Sequence, residues 1–189
     1  MKVGVLALQG AIIEHIKMIR NCGFEAVEVK STKDLKLVDR LIIPGGESTT
    51  IGKLAKLYGL DEAIESEGKK GMPMFGTCAG MILLAKEITF SQQIRFNLID
   101  IVVKRNAFGR QVDSFEADLK ISNIHGKPFR AVFIRAPYIK EVGNQVKVLS
   151  RFEEKIVMAR QKNILVSSFH PELSNDLRVH RYFLSKNFN

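Results

Sequence analysis

Cysteine is scarce in this sequence, and its scarcity limits both how the fold is stabilised and where the protein works. Cys22 and Cys78 are the only two cysteines among 189 residues. Two thiols cannot form the disulfide framework of a small secreted domain, and such sparse use is typical of reducing compartments. The composition therefore predicts a cytoplasmic protein.

Long apolar runs, linkers and internal repeats are also missing. The apolar stretch at residues 3–13 is too short to cross a bilayer, is interrupted by Gln9 and has no clear cleavage site after it. No tract rich in Pro, Gly or Ser divides the chain. A length of 189 residues suits one domain with a substantial core. We therefore predict a single domain over residues 1–189 and no membrane segment.

Acidic residues are outnumbered, with 20 Asp and Glu against 29 Lys and Arg, so the net charge is +9. A basic balance of this size allows binding to nucleic acid or to an acidic partner. The basic residues are spread along the chain, however, without a basic block or interleaved aromatic residues. We therefore expect solvated faces and a partner surface rather than nucleic-acid binding.

Metal and nucleotide motifs are absent as well. No His, Cys or Asp cluster has the spacing of a metal site. The PGGES segment at 44–48 resembles a phosphate-binding loop, but five residues instead of four separate Gly46 from Gly52-Lys53. Leu54 then stands where the motif requires Ser or Thr. The sequence therefore predicts neither a metal nor a nucleotide cofactor.

Short apolar runs alternate with helical spacing through the first half of the chain. Predicted strands cover residues 2–8, 24–30, 39–44 and 71–77, and predicted helices cover 11–21, 48–60 and 79–87. This alternation is typical of βαβ units with parallel strands. After residue 95 the predicted strands are 97–103, 110–119, 128–134, 145–150, 155–160 and 163–169, before a helix at 176–187. The pattern therefore predicts an α/β fold whose sheet is partly mixed.

Cys78 lies where a predicted strand meets a predicted helix, within Gly76-Thr77-Cys78-Ala79-Gly80. This spacing matches the G-x-S-x-G turn that exposes a nucleophilic serine, with cysteine in its place. The start of a helix favours an anion, and the N–H of Ala79 is free to face an oxyanion. A buried structural cysteine at a tight turn is the alternative, and the motif alone does not decide between them.

A nucleophilic cysteine needs a base, and His170 is the best placed of the four histidines. It directly follows the apolar run 164–169 and precedes Pro171, which favours an extended backbone at His170. In an extended segment Glu172 points to the same side and is suited to orient the imidazole. His15 is expected at the surface, His125 in a turn and His180 in the last helix. Taken alone, the HPE segment is better explained as a plain loop after a strand, and only together with the cysteine turn does it indicate a triad.

Together these motifs resemble the class I (triad) glutamine amidotransferases. Within that class, LALQGAIIEH, LIIPGGESTT, FGTCAGMILLAK, RNAFGRQVDSFE, FIRAP and SFHPELSNDLRVHRYF resemble the glutaminase subunits of pyridoxal 5′-phosphate synthase, the PdxT family. The similarity runs from residue 3 to about 184, and RNAFGRQVDSFE distinguishes this subfamily from other triad amidotransferases.

The resemblance implies a flavodoxin-like three-layer sandwich with a mostly parallel, partly mixed central sheet flanked by helices. It implies hydrolysis of L-glutamine to L-glutamate and ammonia, without a flavin, nucleotide or metal. The ammonia would pass to a synthase partner, PdxS, that joins a pentose phosphate and a triose phosphate into pyridoxal 5′-phosphate.

Site residues follow from the resemblance by position. Cys78 matches the nucleophile, His170 the base and Glu172 its orienter. The residues that match the glutamine contacts are Gly46, Glu47, Ser48, Arg105, Ile134 and Arg135. We expect N–H groups of Ala79 and of the Gly45-Gly46 region to bind the oxyanion, with Gly10 joining them if the Gln9–Gly10 peptide rotates when the partner docks.

Three alternatives stay open on the sequence alone. A related thiol hydrolase would prefer γ-glutamyl peptides to free glutamine. A non-catalytic binding module would keep the fold, although a complete Cys78, His170 and Glu172 set argues against it. A nucleic-acid binder would bind duplex in a salt-dependent way.

Overall fold

The computed structural model describes residues 1–105 and 114–188. The strands among them are β1 (Lys2–Leu6), β2 (Glu25–Val29), β3 (Arg40–Ile43), β4 (Met74–Thr77), β5 (Ala85–Ile88), β6 (Ile99–Lys104), β7 (Ser114–Leu119), β8 (Phe129–Ile134), β9 (Tyr138–Val142), β10 (Lys147–Phe152), β11 (Lys155–Gln161) and β12 (Ile164–Ser167). The helices are α1 (Ile12–Asn21), α2 (Thr32–Leu35), α3 (Ser48–Leu57), α4 (Leu60–Lys69), α5 (Ala79–Leu84) and α6 (Arg178–Leu184). Short 3₁₀ turns lie at Pro171–Leu173 and Lys186–Phe188.

Parallel strands form the half of the sheet that carries the candidate site. Their order is β2-β1-β3-β4-β12, and every neighbouring pair is parallel. This is the strand order of flavodoxin-like folds, in which ligands bind beyond the carboxyl ends of the strands. The predicted α/β fold with a mostly parallel sheet is therefore confirmed.

Beyond β12 the sheet becomes mixed, as the closely spaced strands of the second half predict. β11 pairs antiparallel with β12, β10 and β9, and β9 pairs antiparallel with β6. β5 then adds to β6 in parallel. β7 and β8 form a separate antiparallel hairpin that ends at Ile134.

Helices cover both faces of the sheet because its strands are apolar on both sides. Val5 and Phe75 face a cluster that includes Phe183 of α6 and residues of α1. Leu6 and Ile43 face a second cluster built from α2, α3, α4 and α5. Full burial of one such side chain stabilises the fold by about 1.5–3 kcal/mol. The arrangement is the expected three-layer sandwich.

Four stretches differ from the predicted secondary structure. The helix expected at 79–87 ends at Leu84, because residues 85–88 pair with β6 as strand β5, and this pairing overrides their helical propensity. Helices α2 and α4 and strand β9 were not predicted from the sequence. Most of the predicted strand 110–119 is present as β7, whereas residues 110–113 lie outside the described part of the chain. Among the described residues, no helix is both long and apolar enough to span a bilayer.

Candidate active site

Three segments that carry predicted site residues each follow one of three neighbouring strands of the sheet. The PGGES loop follows β3, Cys78 follows β4, and His170 comes shortly after β12. Because β3, β4 and β12 are adjacent and parallel, their carboxyl ends lie at one edge of the sheet. The topology therefore brings the three segments together.

Cys78 occupies a sharp, strained turn between β4 and α5. Its backbone has φ 48° and ψ −101°, and such conformations cost about 1–3 kcal/mol for a residue with a side chain. The N–H of Cys78 donates to the carbonyl of Ser167 at 2.8 Å. The next turn packs so closely that a Cβ on Gly80 would collide with the carbonyl of Ile43. The turn presents the Cys78 sulfur, 3.9 Å from the carbonyl oxygen of Ile134, in a site where Cys78 is 8% exposed.

His170 and Glu172 are in direct contact behind Cys78. Nδ1 of His170 lies 2.7 Å from Oε1 of Glu172, and the N–H of His170 donates to the carbonyl of Val132 at 2.8 Å. The expected extended segment is wrong beyond His170, because residues Pro171–Leu173 form a 3₁₀ turn. The turn, rather than strand alternation, brings the Glu172 carboxylate to the imidazole.

The protonation of this pair depends on opposing effects. Burial works against a charge on His170, but hydrogen bonds to Cys78 and Glu172 outweigh it and raise the pKa of His170 to about 10. Burial also works against a charge on Glu172, but the neighbouring His15 and His170 hold the pKa of Glu172 below its ordinary value. At neutral pH an imidazolium therefore lies between a carboxylate and the Cys78 sulfur.

The PGGES loop is fixed by contacts from two other strand ends. The N–H of Gly45 donates to Oγ1 of Thr77 at 3.0 Å, and the N–H of Glu47 donates to Oε1 of Gln9 at 2.7 Å. Gly10 has φ 111°, and a Cβ there would collide with the carbonyl of Gly45. Because the Gly45 N–H is engaged, the expectation that it binds an oxyanion is wrong for this conformation, which leaves Gly46 from that region.

Most of the predicted site residues line one cavity of about 310 Å³. Its lining comprises Gln9, Gly46, Glu47, Ser48, Cys78, Ala79, Ile82, Arg105, Ile134, Arg135 and His170. Glu172 and Gly10 are outside this lining, Glu172 behind His170 and Gly10 against Gly45 and Gly46. Ile82 and the side chain of Gln9 are lining residues that were not among the predicted site residues. No group of His, Cys, Asp and Glu in residues 1–105 and 114–188 is arranged to hold a metal ion.

Arg105 reaches the cavity from the end of β6. Its guanidinium donates to Oε1 of Gln93 at 2.9 Å and to Oε1 of Glu47 at 3.3 Å. Gln93 also accepts from the hydroxyl of Ser48 at 3.3 Å, so it links two predicted substrate contacts, a role that its surrounding sequence does not signal. The rest of the RNAFGR motif, residues 106–110, lies outside the described residues.

His15 is not at the surface, and the expectation of an exposed side chain is wrong. It is fully buried between the sheet and α6, where Nδ1 lies 3.0 Å from Nε2 of His180. A signal for this burial is present in the sequence, because His15 falls on the same helical stripe as Ile12 and Ile19.

Solved structures with this fold include glutamine amidotransferases. A structure described as a crystal structure of glutamine amidotransferase is 49% identical, with a TM-score of 0.92 and 96% of each chain covered. A glutamine amidotransferase from Thermotoga maritima has a TM-score of 0.65 at 15% identity, with 92% of this chain and 77% of the other covered. At so low an identity, the second similarity supports the fold alone.

The family follows from sequence. Residues 5–189 match the model of the SNO glutamine amidotransferase family, and the chain belongs to that family. The pyridoxal 5′-phosphate synthase subunit PdxT of Pelotomaculum thermopropionicum is 62% identical over 186 residues, which cover 98% of this chain and 95% of the relative. The PdxT of Carboxydothermus hydrogenoformans is 57% identical, with 98% and 97% covered. The resemblance predicted from the motifs is thus confirmed.

Proposed function

We propose that this chain hydrolyses L-glutamine to L-glutamate and ammonia, with Cys78, His170 and Glu172 as its catalytic triad. One observation carries the proposal. The Cys78 sulfur, a protonated His170 backed by Glu172, and the guanidinium of Arg105 all border one small cavity. A nucleophile, a proton donor and a carboxylate-binding group are the three parts that amide hydrolysis of an amino acid requires.

The chemistry follows from these positions. The Cys78 sulfur attacks the side-chain amide carbon of glutamine, and N–H groups of Gly46 and Ala79 stabilise the oxyanion. His170 gives its proton to the departing ammonia, which leaves a thioester between the substrate and Cys78. His170 then takes a proton from water, the resulting hydroxide attacks the thioester, and glutamate leaves with the thiol restored.

Substrate selection depends on charge and size. The planar guanidinium of Arg105 matches an α-carboxylate, and Arg135 adds positive charge at the same cavity. Gly46, Glu47 and Ser48 form the wall that holds the rest of the amino acid. A volume of about 310 Å³ is at the lower end of the roughly 300–1,000 Å³ of small-molecule sites. This size favours free glutamine over γ-glutamyl peptides.

The relatives named as pyridoxal 5′-phosphate synthase subunits supply the biological setting. We propose that the ammonia passes directly to a PdxS-type synthase subunit, which uses it to make pyridoxal 5′-phosphate. Residues 1–189 would act as one glutamine amidotransferase domain, since the family match spans 5–189. The reactive thiol needs a reducing compartment, so we place this activity in the cytoplasm.

The test is ammonia release from glutamine by the wild-type chain, alone and with its synthase, compared with Cys78→Ser. The substitution is small, so we expect an intact fold and no turnover. A glutamine-like chloroketone should label Cys78 alone. Cys22→Ser is the matched control, because burial raises the pKa of the Cys22 thiol against the opposing effect of Arg181 and so lowers its fraction of nucleophilic thiolate.

Two results would contradict the proposal. Labelling of Cys22 instead of Cys78 would show that Cys78 is not the nucleophile. Faster hydrolysis of γ-glutamyl peptides than of glutamine would make the chain a peptidase of the same fold.

A further inference from the structure

Two buried histidines have no part in the proposed chemistry. His15 lies on α1 and His180 on α6, and each is 0% exposed. Burying a polar ring is unfavourable unless its nitrogen atoms find partners. The contacts of the two rings therefore indicate what they do.

His15 lies between the proposed triad and His180. Its Nε2 is 3.4 Å from Oε2 of Glu172 and 3.1 Å from Oγ1 of Thr77. Its Nδ1 is 3.0 Å from Nε2 of His180. Since Oε1 of Glu172 holds His170, the carboxylate lies between two imidazoles. His15 thus faces the oxygen that His170 leaves free.

The surroundings select one tautomer for each ring. Oε2 of Glu172 is buried and accepts no hydrogen bond of standard geometry from the described residues, so a donor facing it is favoured. If His15 carries its proton on Nε2, then Nδ1 accepts from the Nε2–H of His180. Nδ1 of His180, which has no partner among the described residues, is then a bare acceptor. The opposite tautomers would let Nε2 of His15 accept from the nearer Thr77 hydroxyl. However, they would also turn a lone pair toward the carboxylate and leave the Nδ1–H of His180 buried without a partner among the described residues.

Both rings are neutral at physiological pH. Burial lowers the pKa of His15, against the opposing effect of Glu172 and Glu14, and His170 acts in the same direction as burial. Burial and His15 lower the pKa of His180 to about 3, against Glu172. A neutral donor supports the carboxylate without competing with His170 for its charge.

We propose that His15 is a positioning residue of the triad, whose Nε2–H fixes the Glu172 carboxylate while His180 fixes the tautomer of His15. The inference rests on the proposed glutaminase function. Without this donor, Glu172 would rotate away from His170 and take up a proton more readily. Glutamine would still bind, because neither histidine lines the cavity.

A matched pair of variants separates positioning from packing. In His15→Gln the amide can place its N–H where Nε2 lay, toward Glu172. In His15→Asn the shorter amide reaches only the position of Nδ1, toward His180. We expect His15→Gln to keep kcat for glutamine within about threefold, and His15→Asn to lose about tenfold or more with KM changed much less. The acid limb of kcat against pH should move to higher pH in His15→Asn only. Equal losses of kcat in the two variants, or no loss in either, would show that His15 only packs in the core and does not position Glu172.

A second measurement needs no variant. Nitrogen-15 NMR of the histidine rings in the wild-type chain reports which nitrogen carries the proton. Protonated Nε2 and bare Nδ1 on both His15 and His180 are expected, and a bare Nε2 on His15 overturns the inference. If the wild-type complex releases no ammonia, the proposed function fails instead, and the NMR result still decides the hydrogen bond to Glu172.

Discussion

Nδ1 of His170 lies 2.7 Å from Oε1 of Glu172, with side-chain exposures of 9% and 0%. A buried pair this close is strongly coupled, so the charge on each group depends on the other. Cys78 is the third member, because its hydrogen bond to His170 also favours the imidazolium. When the sulfur is bound in a thioester this contribution is lost, and His170 becomes a readier base for water.

Removing the sulfur should therefore lower the pKa of His170 from about 10. In Cys78→Ala the imidazole keeps Glu172 but loses one of the two hydrogen bonds that outweigh its burial. The change is measured by an NMR titration of the His170 ring, with Cys22→Ala as the control that should leave it in place. An unchanged pKa in Cys78→Ala would mean that the sulfur and the imidazole do not interact.

Turnover should depend on His170 more than on Glu172. His170→Asn removes the proton donor and base, so we expect a loss of about 10²-fold or more in kcat with glutamine still bound. Glu172→Gln keeps the shape but not the charge, and should cost less because Glu172 orients rather than transfers a proton. His125→Gln, at an exposed position, is the control. Near-native turnover in His170→Asn would require another base.

Local motifs made this part of the site predictable. Cys78 lies in a turn and His170 in a loop, and each directly follows a short apolar run that predicts a buried strand. Parallel strands place their carboxyl ends at the same edge of a sheet, so the two residues could be expected to lie close together whatever the loop sequences are. The Glu172 contact was predicted for the wrong reason, since it depends on a 3₁₀ turn instead of an extended segment.

Other features depend on contacts that no local pattern encodes. His15 meets His180 across 165 residues, and the helical stripe at 12–19 signals burial without naming a partner. Strand β5 has the composition of a helix, and only its pairing with β6 makes it a strand. Gln93 supports Arg105 from a segment without regular structure.

Arg105 should control affinity for glutamine rather than turnover. A carboxylate clamp binds ground state and transition state alike, so Arg105→Ala should raise KM about tenfold to a hundredfold with a smaller change in kcat. Arg151→Ala removes an exposed arginine outside the cavity and should change neither. Steady-state kinetics with glutamine decide the question, and an unchanged KM in Arg105→Ala would show that its contact with Glu47 is only structural.

Mild acid should destabilise the fold through the buried histidines. Burial and His15 lower the pKa of His180 to about 3, and burial lowers that of His15. The unfolded chain therefore binds more protons below its ordinary histidine pKa of about 6.5, so stability is complete above that pH and falls below it. His180 alone accounts for about 2 kcal/mol between pH 6.5 and 5.

Urea unfolding at pH 6.5 and pH 5 measures this loss. His170 offsets only a small part of this loss, because the stability from its raised pKa is fully present below about pH 6.5 and is lost as pH rises from there toward 10. The stability from Glu172 is lost only near pH 4.5 and below. His180→Leu should flatten the dependence, whereas His125→Gln should keep it. Equal stability of the wild-type chain at the two pH values would show that the buried rings accept protons without penalty.

Docking of the synthase should raise glutaminase turnover through Gly10. A glutaminase that is active without its synthase consumes glutamine without using the ammonia, so activity should depend on docking. Gly10, at φ 111°, allows the Gln9–Gly10 peptide to rotate and to point its N–H at the oxyanion.

In Gly10→Ala a Cβ meets the Gly45 carbonyl, so we expect the synthase-dependent rise in turnover to be lost while Cys78 still reacts with the chloroketone. Gly23→Ala is the matched control, because Gly23 also has a positive φ, 87°, yet has open space around it. Turnover is measured for each variant with and without synthase. Full activity of the isolated wild-type chain would contradict the prediction, and so would an equal synthase-dependent rise in turnover in Gly10→Ala and Gly23→Ala. Gly10 would then serve only to form the turn after β1.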